Sequence, residues 1–235
     1  MKIEILYPEL CNLFGDLANA EYLARSCGAE LIRTSLSEKP HFIDNDVALV
    51  CLGGTTERGQ LIARDALKPW LPELLKRADN GGLVLVTGNA VELFGEYIET
   101  DSGEKLPMLG AFRTHAKRDM MHRFNSLYLG EFEDMKIVGF KSQFSFSYGE
   151  TGEGLFKTIR GAALNKETSA EGLRRGGMLL TYLLGPLVIL NPPFAKWLLG
   201  EMGVENPALA FEKEAFAVYE TRLREFSDPA RGFEY

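Results

Sequence analysis

The sequence has few of the residues that mark several common protein classes. It contains three cysteines, Cys11, Cys27 and Cys51, and no CxxC pair, so we expect reduced thiols rather than a disulfide framework or a cysteine metal site. Only three histidines are present, His41, His115 and His122. No GxGxxG or phosphate-loop lysine motif follows a predicted strand, which argues against a nucleotide-binding module. We therefore expect neither a cofactor nor a metal ion.

Basic residues and long apolar runs are also scarce. The 26 Lys and Arg residues are outnumbered by 33 Asp and Glu residues, which gives a net charge of −7 and argues against nucleic acid as the main partner. We interpret the densest basic segment, Arg113–Arg123, as a solvated face. The longest apolar run, Met178–Leu190, is too short to cross a bilayer, and the N-terminus lacks a signal-peptide pattern. We expect a cytoplasmic protein without membrane insertion.

Buried strands alternate with helices in the first part of the chain, up to about residue 95. Helices are predicted for Leu17–Cys27, with Asp16 as the cap and Gly28 as the stop, then from Glu57, with breaks near Pro69 and Pro72, and for Ala90–Phe94. The strands are predicted at Ile3–Tyr7, Leu31–Ser35, Val47–Leu52 and Leu83–Val86. This order predicts an α/β fold with a mostly parallel central sheet flanked by helices.

The second half of the chain is richer in aromatic and β-branched residues and predicts additional mixed strands, followed by two helices. The helices are expected at Asn191–Trp197 and Ala208–Glu225. The strands are expected near Ser126–Leu129, Ile137–Lys141, Leu155–Arg160 and Met178–Leu184. We predict a single domain over residues 1–225 and a loose C-terminal tail over residues 226–235.

Ligand sites in such sheets lie at the carboxyl ends of the strands. In this sequence those ends are Tyr7–Glu9, Leu52–Thr56 and Thr87–Asn89. Gly53, Gly54 and Thr55 could offer backbone donors, and Gly88-Asn89 opens a helix whose N-terminus favours an anion.

Five segments, in order and at similar spacings, resemble the GatD-type glutaminases, a group within the CobB/CobQ-like class I glutamine amidotransferases. These segments are Leu49–Gln60, Leu85–Gly95, Leu109-Gly110, Ile137–Phe140 and Leu180–Pro186. The resemblance implies the flavodoxin-like class I amidotransferase fold. It also implies a partner, since GatD-type proteins pair with a Mur-ligase-like (MurT-type) synthetase that amidates the glutamate of lipid II.

The same resemblance implies a cysteine nucleophile on the turn after a buried strand and a histidine base from a later strand. Alignment of the motifs puts the cysteine position at Gly88 and the histidine position at Leu184. Glycine has no nucleophile, and leucine cannot accept a proton. We therefore predict no catalytic residue at either position and no Cys–His glutaminase activity.

Two hypotheses for function remain open. The first is a non-catalytic amidotransferase-like subunit that binds or regulates an amidating synthetase, in cell-wall or cofactor amidation. The second is an active amide hydrolase or glutaminase with a non-standard nucleophile, for which Thr87, Cys11, Glu9 and Glu92 are candidates. No GxSxG elbow supports the second hypothesis.

The state of the pocket is a separate question. Gly53, Gly54, Thr55, Gly88 and Asn89 either keep a small carboxylate ligand, such as glutamine, or line a vestigial pocket whose turns still need glycine.

Overall fold

A computed structural model describes residues 1–152 and 154–234. Within them the chain forms β1 (Lys2–Leu6), β2 (Glu30–Thr34), β3 (Leu49–Leu52), β4 (Leu83–Thr87), β5 (Tyr97–Glu99), β6 (Lys105–Pro107), β7 (Thr114–Arg118), β8 (Phe124–Phe132), β9 (Met135–Gln143), β10 (Ser145–Gly149), β11 (Phe156–Arg160), β12 (Ala170–Glu171), β13 (Leu173–Arg175) and β14 (Met178–Thr181). The α-helices are α1 (Leu17–Cys27), α2 (Glu57–Leu67), α3 (Leu71–Asp79), α4 (Leu187–Leu190), α5 (Pro192–Glu201) and α6 (Glu212–Ser227). Short 3-10 helices cover Leu13–Gly15, His41–Ile43, Lys68–Trp70 and Gly88–Phe94.

The central sheet has the strand order β13-β14-β4-β3-β1-β2. All its neighbouring pairs are parallel except β13 with β14. The parallel part, β2-β1-β3-β4-β14, has the order of a flavodoxin-like sheet. The predicted fold class is therefore confirmed, and the carboxyl ends of β1, β3, β4 and β14 lie at one edge.

Alternation along the central strands divides the apolar core into two clusters, one on each face of the sheet. Ile3, Leu85 and Leu179 belong to the cluster that includes α5 residues and Phe132 of β8. Val84 and Leu180, each next to one of these in sequence, belong to the other cluster, which includes α2 and α3 residues. Successive side chains of a strand point to opposite faces, so β1, β3, β4 and β14 contribute to both clusters.

Two helix boundaries follow from local chemistry. α1 ends where Gly28 adopts a φ of 70° and its N–H bonds to Ala24 O, as the sequence predicts. α2 begins where the Thr56 hydroxyl accepts the Gly59 N–H at 3.1 Å. Asp16, expected to cap α1, makes no side-chain cap hydrogen bond.

The second half adds two four-stranded sheets, β10-β7-β5-β6 and β12-β11-β8-β9. The first is mixed and the second is antiparallel. The predicted tail is bound along β8 rather than loose over its described part, which ends at residue 234. The Leu127 N–H donates to Phe233 O at 2.8 Å, and Arg160 donates to the carbonyls of Asp228 and Arg231. No helix among the described residues is long and apolar enough to span a membrane.

Candidate functional site

The turn after β4 brings the two positions identified by the resemblance together. The chain leaves β4 at Thr87 and turns at Gly88, whose φ is 64°, before the 3-10 helix Gly88–Phe94. A Cβ built on Gly88 would lie 3.2 Å from Cδ2 of Leu184 and 3.2 Å from Cα of Gly54. Gly88 and Leu184 are therefore adjacent, and together they present a bare backbone and an aliphatic side chain.

In the glycine-rich loop after β3, two backbone N–H groups donate hydrogen bonds to side chains of the same chain. Gly54 N–H donates to Oδ2 of Asp16 at 2.8 Å, and Thr55 N–H donates to Oδ1 of Asn89 at 2.9 Å. The Asn89 amide also donates to Thr55 O at 2.7 Å. Gly53 is packed closely, since a Cβ built on it would lie 2.6 Å from Cys11 O. These contacts hold the loop against the turn and leave the Gly54 and Thr55 N–H groups engaged.

Asp16 lies directly beneath the turn. The residue is 5% exposed, and its Oδ2 lies 3.6 Å from the position that a Cβ of Gly88 would take. Burial raises the pKa of Asp16 to about 6, although hydrogen bonds from the Gly54 N–H and the Thr87 hydroxyl lower it. No cation pairs with Asp16 in the part of the chain that the structure describes. The site thus holds a carboxyl group where its sequence position indicated only a helix cap.

A cavity of about 120 Å³ opens above the turn. Its buried floor includes Gly88, Leu184 and Gln143, and its more exposed mouth includes Phe14 and Arg123. The volume is enough for several water molecules. The space immediately beside Gly88 is therefore filled by Leu184, while a small polar cleft remains above it.

A buried network of hydrogen bonds and one ion pair stabilises the floor of this cavity. Gln60 Nε2 donates to Asn89 O at 2.8 Å and to Oε2 of Glu92 at 3.0 Å. Arg118 pairs with Glu92 at 3.2 Å and also donates to Gln60 Oε1. Burial raises the pKa of Glu92, although Arg118 and hydrogen bonds lower it. Glu92 is therefore held in an ion pair, which suits positioning better than attack on a substrate.

Arg123 and Gln143 are two lining residues with unused hydrogen-bonding capacity. Arg123 is exposed, donates to the Ser142 hydroxyl at 3.3 Å and lies 4.4 Å from the ring centroid of Phe144. No carboxylate pairs with it within residues 1–152 and 154–234. Gln143 donates through Nε2 to Ser145 O at 2.6 Å, while its buried Oε1 has no hydrogen-bond partner among the described residues.

The candidate alternative nucleophiles are poorly placed for reaction. Burial, with Glu9 and Asp16 nearby, raises the pKa of the Cys11 thiol to about 12. Burial and Asp16 likewise raise the pKa of Cys51 to about 12. Both thiols are therefore neutral at ordinary pH, whereas nucleophilic cysteines act as thiolates. Thr87 is buried, and Glu9 is exposed and accepts the Leu36 N–H at 2.7 Å.

The three histidines lie outside the residues that line the cavity. His41 contacts Lys2, His115 stacks 4.9 Å from Tyr97, and His122 pairs with Asp119 at 2.8 Å. No group of three or more potential metal-ligating side chains occurs in the described ranges of the chain. None of the histidines thus lies at the cavity that Leu184 lines.

Sequence reasoning found the turn but missed four residues around it: Asp16, Arg118, Arg123 and Gln143. The basic segment Arg113–Arg123 was the signal for two of them: Arg118 is buried against Glu92, and Arg123 lies at the mouth of the cavity. The solvated-face interpretation of that segment is therefore incomplete.

Of the predicted ligand-binding residues, Gly54, Gly88 and Asn89 line the cavity, while Gly53 and Thr55 lie buried beside it. Ligand binding by these five residues stays a prediction.

Comparison with protein families matches residues 2–188 to the CobB/CobQ-like glutamine amidotransferase domain. Among curated proteins, the chain is 23% identical over 205 residues to the lipid II isoglutaminyl synthase (glutamine-hydrolyzing) subunit GatD of Streptococcus pneumoniae, covering 83% of this chain and 77% of that protein. It is also 23% identical over 204 residues to the corresponding subunit of Staphylococcus aureus, covering 86% of this chain and 83% of that protein.

Solved structures agree at the level of the fold. A glutamine amidotransferase crystal structure superposes with a TM-score of 0.54 at 17% identity, covering 86% of this chain and 99% of that one. A glutamine amidotransferase from Thermotoga maritima superposes with a TM-score of 0.53 at 12% identity, covering 96% of this chain and 91% of that one.

Proposed function

Because this chain belongs to the CobB/CobQ-like glutamine amidotransferase family, we propose that it is an amidotransferase-like subunit that does not hydrolyse glutamine. The observation that carries the proposal is the contact between the two degenerate positions. A Cβ on Gly88 would lie 3.2 Å from Leu184 Cδ2, so the place for a thiol and an imidazole is occupied by backbone and methyl groups. Loss of a nucleophile and its base typically removes roughly six powers of ten in rate.

The surroundings of the turn support the same proposal. In a glutaminase, backbone N–H groups stabilise the oxyanion that forms on attack. Here the Gly54 N–H is bound to the Asp16 carboxyl group at 2.8 Å, so a developing oxyanion would compete with an internal acceptor. The buried neutral thiols of Cys11 and Cys51 offer no replacement nucleophile. The alternative, an amide hydrolase with a non-standard nucleophile, therefore has less support.

We propose further that the partner is a Mur-ligase-like (MurT-type) or other amidating synthetase, in the cytoplasm. The relatives are named as subunits of lipid II isoglutaminyl synthase, and this chain covers 77% and 83% of their lengths. The cleft above Gly88 would then keep a small carboxylate ligand, such as glutamine, with Arg123 as its cation. The substrate of the complex, a peptidoglycan precursor or a cofactor precursor, depends on which synthetase is bound.

Ammonia release from glutamine by the purified protein tests the loss of glutaminase activity. We expect ammonia at the level of the no-enzyme control, beside an active glutaminase measured in parallel. Release above that level would contradict the proposal. If Cys11→Ala abolished such release while the matched control Cys27→Ala retained it, the amide-hydrolase alternative would replace the proposal.

Capture of the tagged full-length chain from its native cell tests the subunit role. We expect an ATP-dependent synthetase to co-purify in stoichiometric amount, identified by mass spectrometry and by co-elution in size-exclusion chromatography. Recovery of the chain only as a free monomer, at several salt concentrations, would count against the subunit role.

A further inference from the structure

A second groove, of about 440 Å³, lies between α1, α4 and α6, and it shares no lining residue with the cavity above Gly88. Its walls are apolar, with Tyr22 of α1, Leu190 of α4 and Ala215 of α6 among the lining residues. The Tyr22 hydroxyl donates to Ala210 O at 2.9 Å, so this side chain presents no unsatisfied polar group to the groove. An exposed apolar surface rimmed by polar residues marks an interaction site.

Two large apolar side chains are exposed at this groove. Phe211 is 61% exposed and Val218 is 51% exposed, and both line it. Phe211 directly precedes α6, where Ser, Thr, Asp or Asn is favoured as a cap, and it makes no side-chain cap hydrogen bond. Its φ of 54° lies in the left-handed region, which is unfavourable for a bulky residue. An exposed phenylalanine at this position is thus unfavourable for the isolated chain and typical of an interface.

The rim of the groove carries one unpaired charge of each sign, counted over the described residues. Arg25 of α1 lies 4.7 Å from the ring centroid of Phe211 and pairs with no carboxylate, and Glu214 of α6 forms no ion pair. The third charged residue of the rim, Glu21, is paired with Arg33 at 2.8 Å. A guanidinium that stacks on a ring keeps its N–H groups for a carboxylate. The free cation of the rim therefore matches the free anion on the facing helix.

We propose that this groove is the interface of a two-fold symmetric homodimer, in which Arg25 of each copy pairs with Glu214 of the other. A two-fold interface uses the same patch on both copies, so the patch must be complementary to itself. The groove meets this condition in charge, through Arg25 and Glu214, and in shape, because the exposed ring of Phe211 stands beside an apolar hollow. The cavity above Gly88 stays free for a synthetase in such a dimer. The assignment goes beyond the proposed function and does not depend on it.

Sedimentation equilibrium of the purified full-length chain, from about 1 to 100 µM, tests for the dimer. We expect the mass to rise to that of two chains over this range. Val218→Asp, which puts a charge into the apolar groove, is expected to weaken association about tenfold or more. Ile62→Asp, at an exposed apolar residue of α2, is the matched control and should have no effect. A monomer at every concentration, or an equal effect of the two variants, would overturn the proposal.

Charge reversal tests the two-fold symmetry. Arg25→Glu and Glu214→Lys each place like charges together at both contacts of the dimer, so each variant alone should associate about tenfold more weakly or worse. Mixed in equal amounts, the two variants should form a heterodimer and recover most of the affinity, because both contacts then join opposite charges. The matched controls are Arg224→Glu and Glu220→Lys, at exposed charges of α6 outside the groove. Folding of every variant is checked by circular dichroism.

Two results would contradict the pairing of Arg25 with Glu214: single variants that associate like the wild type, or a mixture of folded variants that stays monomeric. A different occupant gives its own result. If the purified chain is monomeric and Val218→Asp instead abolishes co-purification of the synthetase, the groove binds that partner and the homodimer is wrong. Failure of the dimer leaves the ammonia measurement unaffected, so the two proposals are distinguishable.

Discussion

Burial of Asp16 has an energetic consequence that can be measured at a single residue. Its pKa is raised from 3.8 to about 6, mainly by burial, so the folded protein binds a proton more tightly than the unfolded chain does. The protonated group therefore favours folding below about pH 4, and this contribution is lost as the pH rises through about 6. At neutral pH the ionised carboxylate is a destabilising element at the site.

Asp16→Asn is expected to stabilise the protein at about pH 8, by up to about 3 kcal/mol, because each pKa unit corresponds to about 1.4 kcal/mol. At about pH 4 the gain should largely disappear, since the native carboxyl group is then protonated. Urea unfolding at both pH values measures the difference, with Asp134→Asn in an exposed turn as the matched control. A loss of stability of equal size at both pH values would show that the carboxylate is not strained by burial.

At the scale of elements, a buried ion pair joins three strands of the second half. Lys141 in β9 pairs with Glu171 in β12, and neither side chain is exposed. Glu171 also accepts the Thr181 hydroxyl at 2.9 Å and the Tyr182 N–H at 2.8 Å at the end of β14. Burial lowers the pKa of Lys141, although Glu171 raises it. The pair ties the antiparallel sheet to the edge of the central sheet that carries Leu184.

Lys141→Met alone should destabilise the protein by about 3–5 kcal/mol, because it leaves Glu171 as a buried, unpaired charge. Lys141→Met combined with Glu171→Gln should recover most of this loss, since glutamine can still accept from Thr181 and Tyr182. Denaturant unfolding of the wild type, both single variants and the double variant forms a complete cycle. Additive losses in the double variant would contradict a coupled pair.

At the scale of the whole molecule, the two apolar clusters share the strands of the central sheet. Trp197 packs against the cluster on one face, and Trp70 packs against the cluster on the other. Because β1, β3, β4 and β14 contribute side chains to both clusters, we expect the two clusters to unfold together. If residues 1–225 form a single domain, as predicted, both clusters should unfold in one cooperative transition.

Fluorescence of Trp70→Phe and Trp197→Phe variants reports on one cluster at a time. We expect both signals and the far-ultraviolet circular dichroism to show one coincident unfolding transition in urea. Each substitution changes the midpoint only by its own effect on stability, so the comparison is made between probes of the same variant. Two separated transitions within one variant would show that the faces unfold independently.

The sequence by itself determined the fold class, and by resemblance it predicts that Gly88 and Leu184 stand at the two catalytic positions. Unbroken apolar runs such as Leu83–Val86 specify strands buried on both faces, and Gly28 specifies the end of α1, because these signals are local. Six strands were missed: β5, β6, β7, β10, β12 and β13. β5, β6, β12 and β13 have only two or three residues, which carry too little periodicity to separate a strand from a loop, and the charged residues of β7 indicated a solvated face.

Only the tertiary structure decided what surrounds Gly88. Asp16 and Leu184 follow β1 and β14, whose carboxyl ends lie at one edge of the parallel sheet, and the antiparallel strands β8 and β9 bring Arg123 and Gln143 to the same cavity. Asp16 binds the N–H of a loop residue 38 positions away instead of capping its own helix, because the fold places that loop beside it. Burial and charge at the site are properties of the assembled fold, and no local pattern encodes them.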